Sequence, residues 1–325
     1  MRFPRSSQTT RHGQSFWRIT IPLIMFGAIS TTSFLAMKHA AVVSNQHVSE
    51  GGGEMSPAIT DMQQCIERIP KWFKAPHADL LKEEFVVGSE GLTDKTTDHK
   101  YHYLYHHYLS SMLLRRCLEQ GVEGDRKRKK TFRVLEIGLG CSFIRNEPGG
   151  SARAWNHLFK PLSGDLELDL HLMEFDKDCA EKFAIDHPNL GRIHSGDASS
   201  KDDLDRVVRE SGAAQFDLIV DDGSHLNEHQ IKTFEHMIQF VSEGGIYVIE
   251  DIQSSCHSWK ALTGAVTTGQ YTGGTKGCME TEDKSPTIFA KLMEWQKVMI
   301  QGSSPFPGVT HISLYHEAAV ISKEF

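Results

Sequence analysis

The chain has 325 residues, enough for one large domain or two small ones, and its 39% hydrophobic and 24% charged residues are ordinary for a globular fold. A formal charge of -7 argues against a protein that coats nucleic acid through a basic face. The charge is unevenly spread: Arg2, Arg5, Arg11, Arg18 and Lys38 all precede the first acidic residue, Glu50.

Residues 1–18 form a short basic tail. Residues 19–37, Ile19 to Met37, carry no charge and are just long enough to cross a bilayer as a helix, although Thr20, Pro22 and Ser30 to Ser33 weaken the span. Arginines before it and few cations after it predict a single-pass type II signal anchor, with the remainder in the secretory pathway, ER or Golgi. Two other readings stay open. Ala40 and Ala41 suit cleavage of a secretory signal, and Arg, Ser and Thr without acids suit a mitochondrial presequence.

Residues 38–60, with Gly51, Gly52 and Gly53, have the composition of a flexible stalk. Residues 61–130 read as an N-terminal helical cap. Met62, Cys65, Ile66 and Ile69 recur at helical spacing before Pro70, as do Tyr101, Leu104, Tyr105, Tyr108, Leu109, Met112 and Leu113 later. The cluster of His99, His102, His106 and His107 with Tyr101, Tyr103, Tyr105 and Tyr108 fits either a packed helix face or a lid over a ligand. The basic run Asp125 to Lys130 has no interleaved aromatics and reads as a solvated loop, so no nucleic-acid partner is expected. Six cysteines occur without a Cys-x-x-Cys pair; they are expected as unpaired thiols and leave the redox compartment open.

Residues 131–325 alternate strand and helix. Strand-like runs at Phe132 to Ile137, Leu168 to Phe175, Arg192 to His194, Phe216 to Val220 and Gly245 to Ile249 are separated by helical stretches at Lys177 to Ile185, Asp202 to Glu210 and Glu228 to Val241. Thr310 to Tyr315 and Ala318 to Lys323 then flank a short polar joint. The fold class is therefore α/β: a doubly wound, mostly parallel seven-stranded sheet with an antiparallel last strand.

Chemistry is expected at the carboxyl ends of the strands, where ligands bind in open α/β sheets. The first strand ends in Glu136, followed by a turn with Gly138 and Gly140 that lets backbone approach a ligand closely. The fourth runs into Asp221-Asp222-Gly-Ser-His225, and the fifth into Glu250-Asp251. Adjacent strands would gather these carboxylates into one crevice, where a hard divalent cation relieves their repulsion.

The order Glu136-x-Gly138-x-Gly140, Glu174 and Asp176 after the second strand, Asp197 after the third, and Asp221-Asp222 after the fourth resembles class I S-adenosylmethionine-dependent methyltransferases. Asp221 to His225, Gly244 to Asp251, Ser151-Ala-Arg-Ala-Trp155 and Thr93-Asp-Lys95 resemble in particular the metal-dependent O-methyltransferases of macrolide sugars. The resemblance covers roughly Lys95 to Phe325. It implies that Gly138 and Gly140 accommodate the methionine part of S-adenosylmethionine, and that Glu136 and Asp221 also belong to the cofactor site. Either Glu174 or Asp176 takes the ribose and Asp197 the adenine. It further implies Mg2+ held by Asp222, Glu250 and Asp251, His225 as general base, and a small-molecule hydroxyl acceptor such as a sugar. A homo-oligomer is compatible with such a chain.

Two other functions remain open from the sequence. His225-Leu-Asn-Glu228-His229 spells the motif of inverted zinc peptidases, which requires both histidines on one helix. A membrane-tethered module could also keep the fold without catalysis.

Overall fold

Seven strands, β1 (Lys130–Ile137), β2 (Leu166–Glu174), β3 (Arg192–Ser195), β4 (Phe216–Asp221), β5 (Val241–Ile249), β6 (Val309–Leu314) and β7 (Ala319–Lys323), form one sheet in the order β3-β2-β1-β4-β5-β7-β6. The computed structural model describes residues 63–64, 66–119, 130–141, 147–162, 166–256, 278–281 and 283–323. β1 to β5 run parallel, and β7 lies antiparallel between β5 and β6. The expected doubly wound sheet with an antiparallel last strand is therefore present.

The helices are α1 (Lys71–Lys74), α2 (Asp79–Gly88), α3 (His102–Glu119), α4 (Gly150–Phe159), α5 (Lys177–Asp186), α6 (Lys201–Ser211), α7 (Asn227–Met237) and α8 (Ile288–Ile300). Strand side chains alternate between two cores. Phe132, Val134, Leu218, Val220, Ile246 and Val248 pack with Leu81, Phe85, Leu104, Leu109 and Trp155 of α2, α3 and α4. Leu135, Ile137, Ile219, Tyr247 and Ile249 pack with residues of α6, α7 and α8. Both faces of the sheet are covered, which explains why all six residues of β4 are buried.

Three sequence expectations change. The helix expected to run from Glu228 to Val241 stops at Met237, passes through a 3-10 turn and yields Val241 to β5. The sheet captures Val241 because it pairs with Phe216, and the register then shifts at Gly244 and Gly245. Gly244 has φ +68, and a Cβ on Gly245 would lie 2.8 Å from the Asp217 carbonyl oxygen. Helix α8 was not anticipated.

The cysteines also differ from expectation. Cys141 is bonded to Cys179 and Cys256 to Cys278, so no free thiol occurs among the described residues. Sequence separations of 38 and 22 residues give no local signal; the folded chain brings the Cα atoms to 6.1 and 4.2 Å. The apolar stretch 19–37, the stalk 38–60 and residues 125–129 lie outside the described residues. Among the described residues no helix is long and apolar enough to cross a membrane.

On β2 and β3, the rings of His171 and His194 stack with centroids 5.3 Å apart, and Nδ1 of His171 meets Nε2 of His194 at 3.1 Å. Their outer nitrogens face Asp169 and Glu210, each at 3.2 Å, and Arg192 and Arg206 lie nearby. Burial pushes His171 down to about 4 and lowers His194 as well. A depressed histidine contributes stability that is complete above its unfolded pKa of ~6.5 and is lost as pH falls towards the folded value. Between pH 7.5 and pH 5, His171→Phe is expected to remove about 2 kcal/mol of the acid-induced loss in unfolding free energy. Urea melts of wild type and variant at the two pH values check this, and parallel losses in both proteins would refute it.

Candidate active site

β4 and β5 are neighbours, so their carboxyl ends lie side by side, and the Glu250 N–H donates to the Asp221 carbonyl at 3.0 Å. Asp222 and Asp251 converge there with His225, their ligand atoms all within 4.8 Å of one another. Glu250 is fully buried and turned inward, its two carboxylate oxygens taken by the Lys95 ammonium and the Tyr105 hydroxyl. The three expected metal ligands are thus divided into a pair that converges with His225 and one acid behind it.

Lys95 is the cause of that division. It is 1% exposed, and its Nζ lies 2.6 Å from Asp222 Oδ2, 3.2 Å from Glu136 Oε1 and against Glu250 Oε2. One ammonium therefore ties the ends of β1, β4 and β5 together. Burial by itself lowers the Lys95 pKa, but Asp222, Glu250 and Glu136 outweigh it and hold the amine charged, well above its ordinary value. The loop bearing Lys95 reaches this depth because it packs tightly on α4. A Cβ on Gly150 would meet the Leu92 backbone at 2.6 Å. On the same helix Trp155 donates from Nε1 to Glu136 Oε2 at 2.8 Å and packs edge-on against Tyr105 at 5.1 Å.

Asp251 is held differently. Its Oδ1 accepts from Tyr101 at 2.7 Å and from Gln253 at 2.8 Å, and its Oδ2 lies 3.3 Å from His225 Nε2. Burial opposes its ionisation, yet His225, His99 and these hydrogen bonds outweigh it and lower the pKa. His99 is anchored by Glu317 of the β6–β7 joint at 2.7 Å and lies 3.6 Å from Asp251. Three residues of this cluster have left-handed backbone: His225 at φ 54, Asp251 at φ 56 and Glu317 at φ 62. Non-glycine residues in that region each cost about 1–3 kcal/mol, and such strain gathers at functional sites.

The glycine turn lies beside the acids. A Cβ on Gly138, at φ +103, would fall 2.0 Å from the Asp222 carbonyl oxygen, so only glycine fits. Gly140, at φ +83, faces open space. Glu174 reaches under the turn: its Oε2 accepts from Leu139 N–H at 3.0 Å and its Oε1 from Asp176 N–H at 2.9 Å. Asp176 is exposed and caps α5 by accepting from Cys179 N–H at 3.0 Å. One oxygen of Asp197 accepts from both the N–H and the hydroxyl of Ser199 at 2.8 Å. Asp221 and Glu136 lie in the interior. Tyr247 donates to Asp221 at 3.3 Å, and burial pushes Asp221 up to about 6.

Lys95 was not expected as a site residue, and His99, Tyr101 and Tyr105 were left open between a packed face and a lid. Tyr101 and Tyr105 recur at the spacing of a core face, and their rings do pack in the core while their hydroxyls reach the acids. The packed-face expectation is thus met for these two rings. His225 precedes α7, and His229, within it, meets Ser224 through Nδ1 at 2.9 Å, so the two histidines do not share a helix as a zinc peptidase requires. An open cavity of 870 Å³ lined by Arg153, His157, Lys160, Asp186 and His187 contains none of the crevice residues.

A seven-stranded sheet of this order, with a glycine turn after β1 and acids after β2, β4 and β5, is the Rossmann-like methyltransferase fold. Among known proteins the chain is similar to mycinamicin VI 2''-O-methyltransferase of Micromonospora griseorubida, 32% identical over 154 residues that cover 47% of this chain and 35% of that one. It is also similar to demethylmacrocin O-methyltransferase of Streptomyces fradiae, 30% identical over 200 residues, 60% and 45% of the respective chains. The matched region is thus less than half of each of these relatives. A solved mycinamicin-pathway methyltransferase, in complex with Mg, SAH and mycinamicin VI, superposes with a TM-score of 0.54 at 24% identity, covering 75% of this chain and 53% of that one. No family model matches. The similarity to class I methyltransferases of the macrolide-sugar type, read from the motifs, is borne out.

Proposed function

We propose that the chain is an S-adenosylmethionine-dependent O-methyltransferase assisted by a divalent cation, Mg2+, acting on a hydroxyl of a sugar or small natural product. The convergence of Asp222, Asp251 and His225 beside the Gly138 to Gly140 turn carries this reading. The similar macrolide-sugar enzymes support it.

The residues suit both groups. Mg2+ is commonly held through one or two carboxylates with water completing its shell, so Asp222 and Asp251 suffice as ligands, with Glu250 behind them. When bound, the cation supplies a hold on the acceptor hydroxyl and lowers its pKa. His225 Nε2 faces both acids, 3.3 Å from Asp251 and 4.0 Å from Asp222, and takes the hydroxyl proton. Asp251 then stabilises the imidazolium. Gly138 and Gly140 leave room for the methionine part of the cofactor. Glu174 is the ribose acid, because it lies directly under the glycine turn, whereas Asp176 stands exposed at the start of α5. Exposed Phe175, between them, offers a ring face to the adenine, and Asp197 its edge. Most of the rate comes from alignment of the oxygen with the sulfonium methyl.

Calorimetric titration of S-adenosylmethionine, followed by an acceptor screen with and without Mg2+, tests the assignment. Binding together with chelator-sensitive transfer is expected; absence of binding under every condition sinks it.

We also propose a membrane-anchored protein of the secretory pathway. The order of a basic, an apolar and a glycine-containing polar stretch in the sequence of residues 1–60 supports this, as do two disulfides, which persist in oxidising compartments. Carbonate extraction and protease protection of microsomes are expected to show an integral protein with a shielded catalytic domain. Recovery in the soluble fraction would refute the anchor.

A further inference from the structure

The two segments that border the proposed nucleoside cleft are covalently joined. Cys141 directly follows Gly140 of the glycine turn, and Cys179 lies in the first turn of α5, three residues after Asp176. The same segments meet through Gly138 N–H to the Met173 carbonyl at 2.8 Å and through Leu139 N–H to Glu174 at 3.0 Å. Glu174 is clamped between them, one oxygen on each segment. Its position therefore depends on the separation of the glycine turn from the start of α5, which the disulfide sets.

We propose that Cys141 and Cys179 are positioning residues for the adenosyl ligand: their disulfide holds the glycine turn and Glu174 in the binding geometry, and breaking it weakens nucleoside binding. This rests on the S-adenosylmethionine reading above. The physical cause is preorganisation. With the bond intact the cleft is ordered before the ligand arrives; without it, binding must order two segments that close a 38-residue separation. Both cysteines are half-buried. A dithiol such as dithiothreitol breaks the bond by thiolate exchange: the reagent leaves as its cyclic disulfide, two electrons pass to the protein sulfurs, and two thiols result.

The test is calorimetric titration of S-adenosylhomocysteine into the full chain as wild type, as C141S/C179S, and as C256S/C278S, which removes the other described disulfide. Roughly tenfold weaker binding is expected in C141S/C179S alone, well below its melting temperature and with unchanged far-UV circular dichroism. If that variant does not fold, dithiothreitol is added to folded C256S/C278S, with the same loss expected and recovery on reoxidation. Equal affinities, or an equal loss in both variants, overturn the proposal. A wild type that binds no S-adenosylhomocysteine overturns instead the cofactor reading.

Discussion

Lys95→Met is expected to lower the unfolding free energy by about 3–5 kcal/mol, the cost of leaving a buried charge network without its partner. The side chain is nearly isosteric, so packing changes little, but Glu136, Asp222 and Glu250 lose the one ammonium that touches all three. The glutamates are fully buried, and water cannot replace the lost contact without entering the core. Chemical denaturation with and without Mg2+ reads the effect. The variant is expected to gain more in melting temperature from Mg2+ than wild type does, because the acids then lack an internal cation. Lys95→Met with Glu250→Gln, which removes one of the stranded charges, is expected to recover part of the loss. Unchanged stability in Lys95→Met would show that the ammonium is not the hub of the site.

His225→Ala is expected to slow methyl transfer by about 10²–10⁴-fold, the range for loss of a positioned general base, while the affinity for S-adenosylhomocysteine stays the same. The ring faces Asp222 and Asp251, the proposed cation ligands, with Nε2 at 4.0 and 3.3 Å from them. Binding and turnover should therefore separate. His225→Ala also relieves little of the left-handed strain at φ 54, since alanine keeps a Cβ, so any change in stability comes from the lost imidazole. Single-turnover rates beside calorimetric affinities check the separation. Transfer at the wild-type rate would remove His225 from the mechanism and point to His99, the other imidazole near Asp251.

The acids were legible because each follows a buried parallel strand, a local pattern that survives any detail of packing. Asp222 and Asp251 were named with His225 from sequence, and the adjacency of β4 and β5 brings them together. Lys95 was visible only as part of a resemblance, since a lone lysine before a helix is usually solvated. Its burial depends on contacts from three strands far away in sequence. The choice between Glu174 and Asp176 stayed open for a similar reason. Two acids two residues apart read alike in a sequence, and only the folded chain shows that one lies under the glycine turn while the other caps α5.

By itself, the sequence determined the alternation of strand and helix, the doubly wound class and the placement of polar residues at strand ends, because hydrophobic periodicity and turn chemistry are local. Only the tertiary structure decided how the carboxylates share their neighbours, which cysteines pair, and where β5 begins. Those outcomes turn on distances between segments tens of residues or more apart: Lys95 to Glu250, Cys141 to Cys179, Phe216 to Val241. Charge and covalent bonding act through space, and the order of residues along a chain does not state which of them will meet.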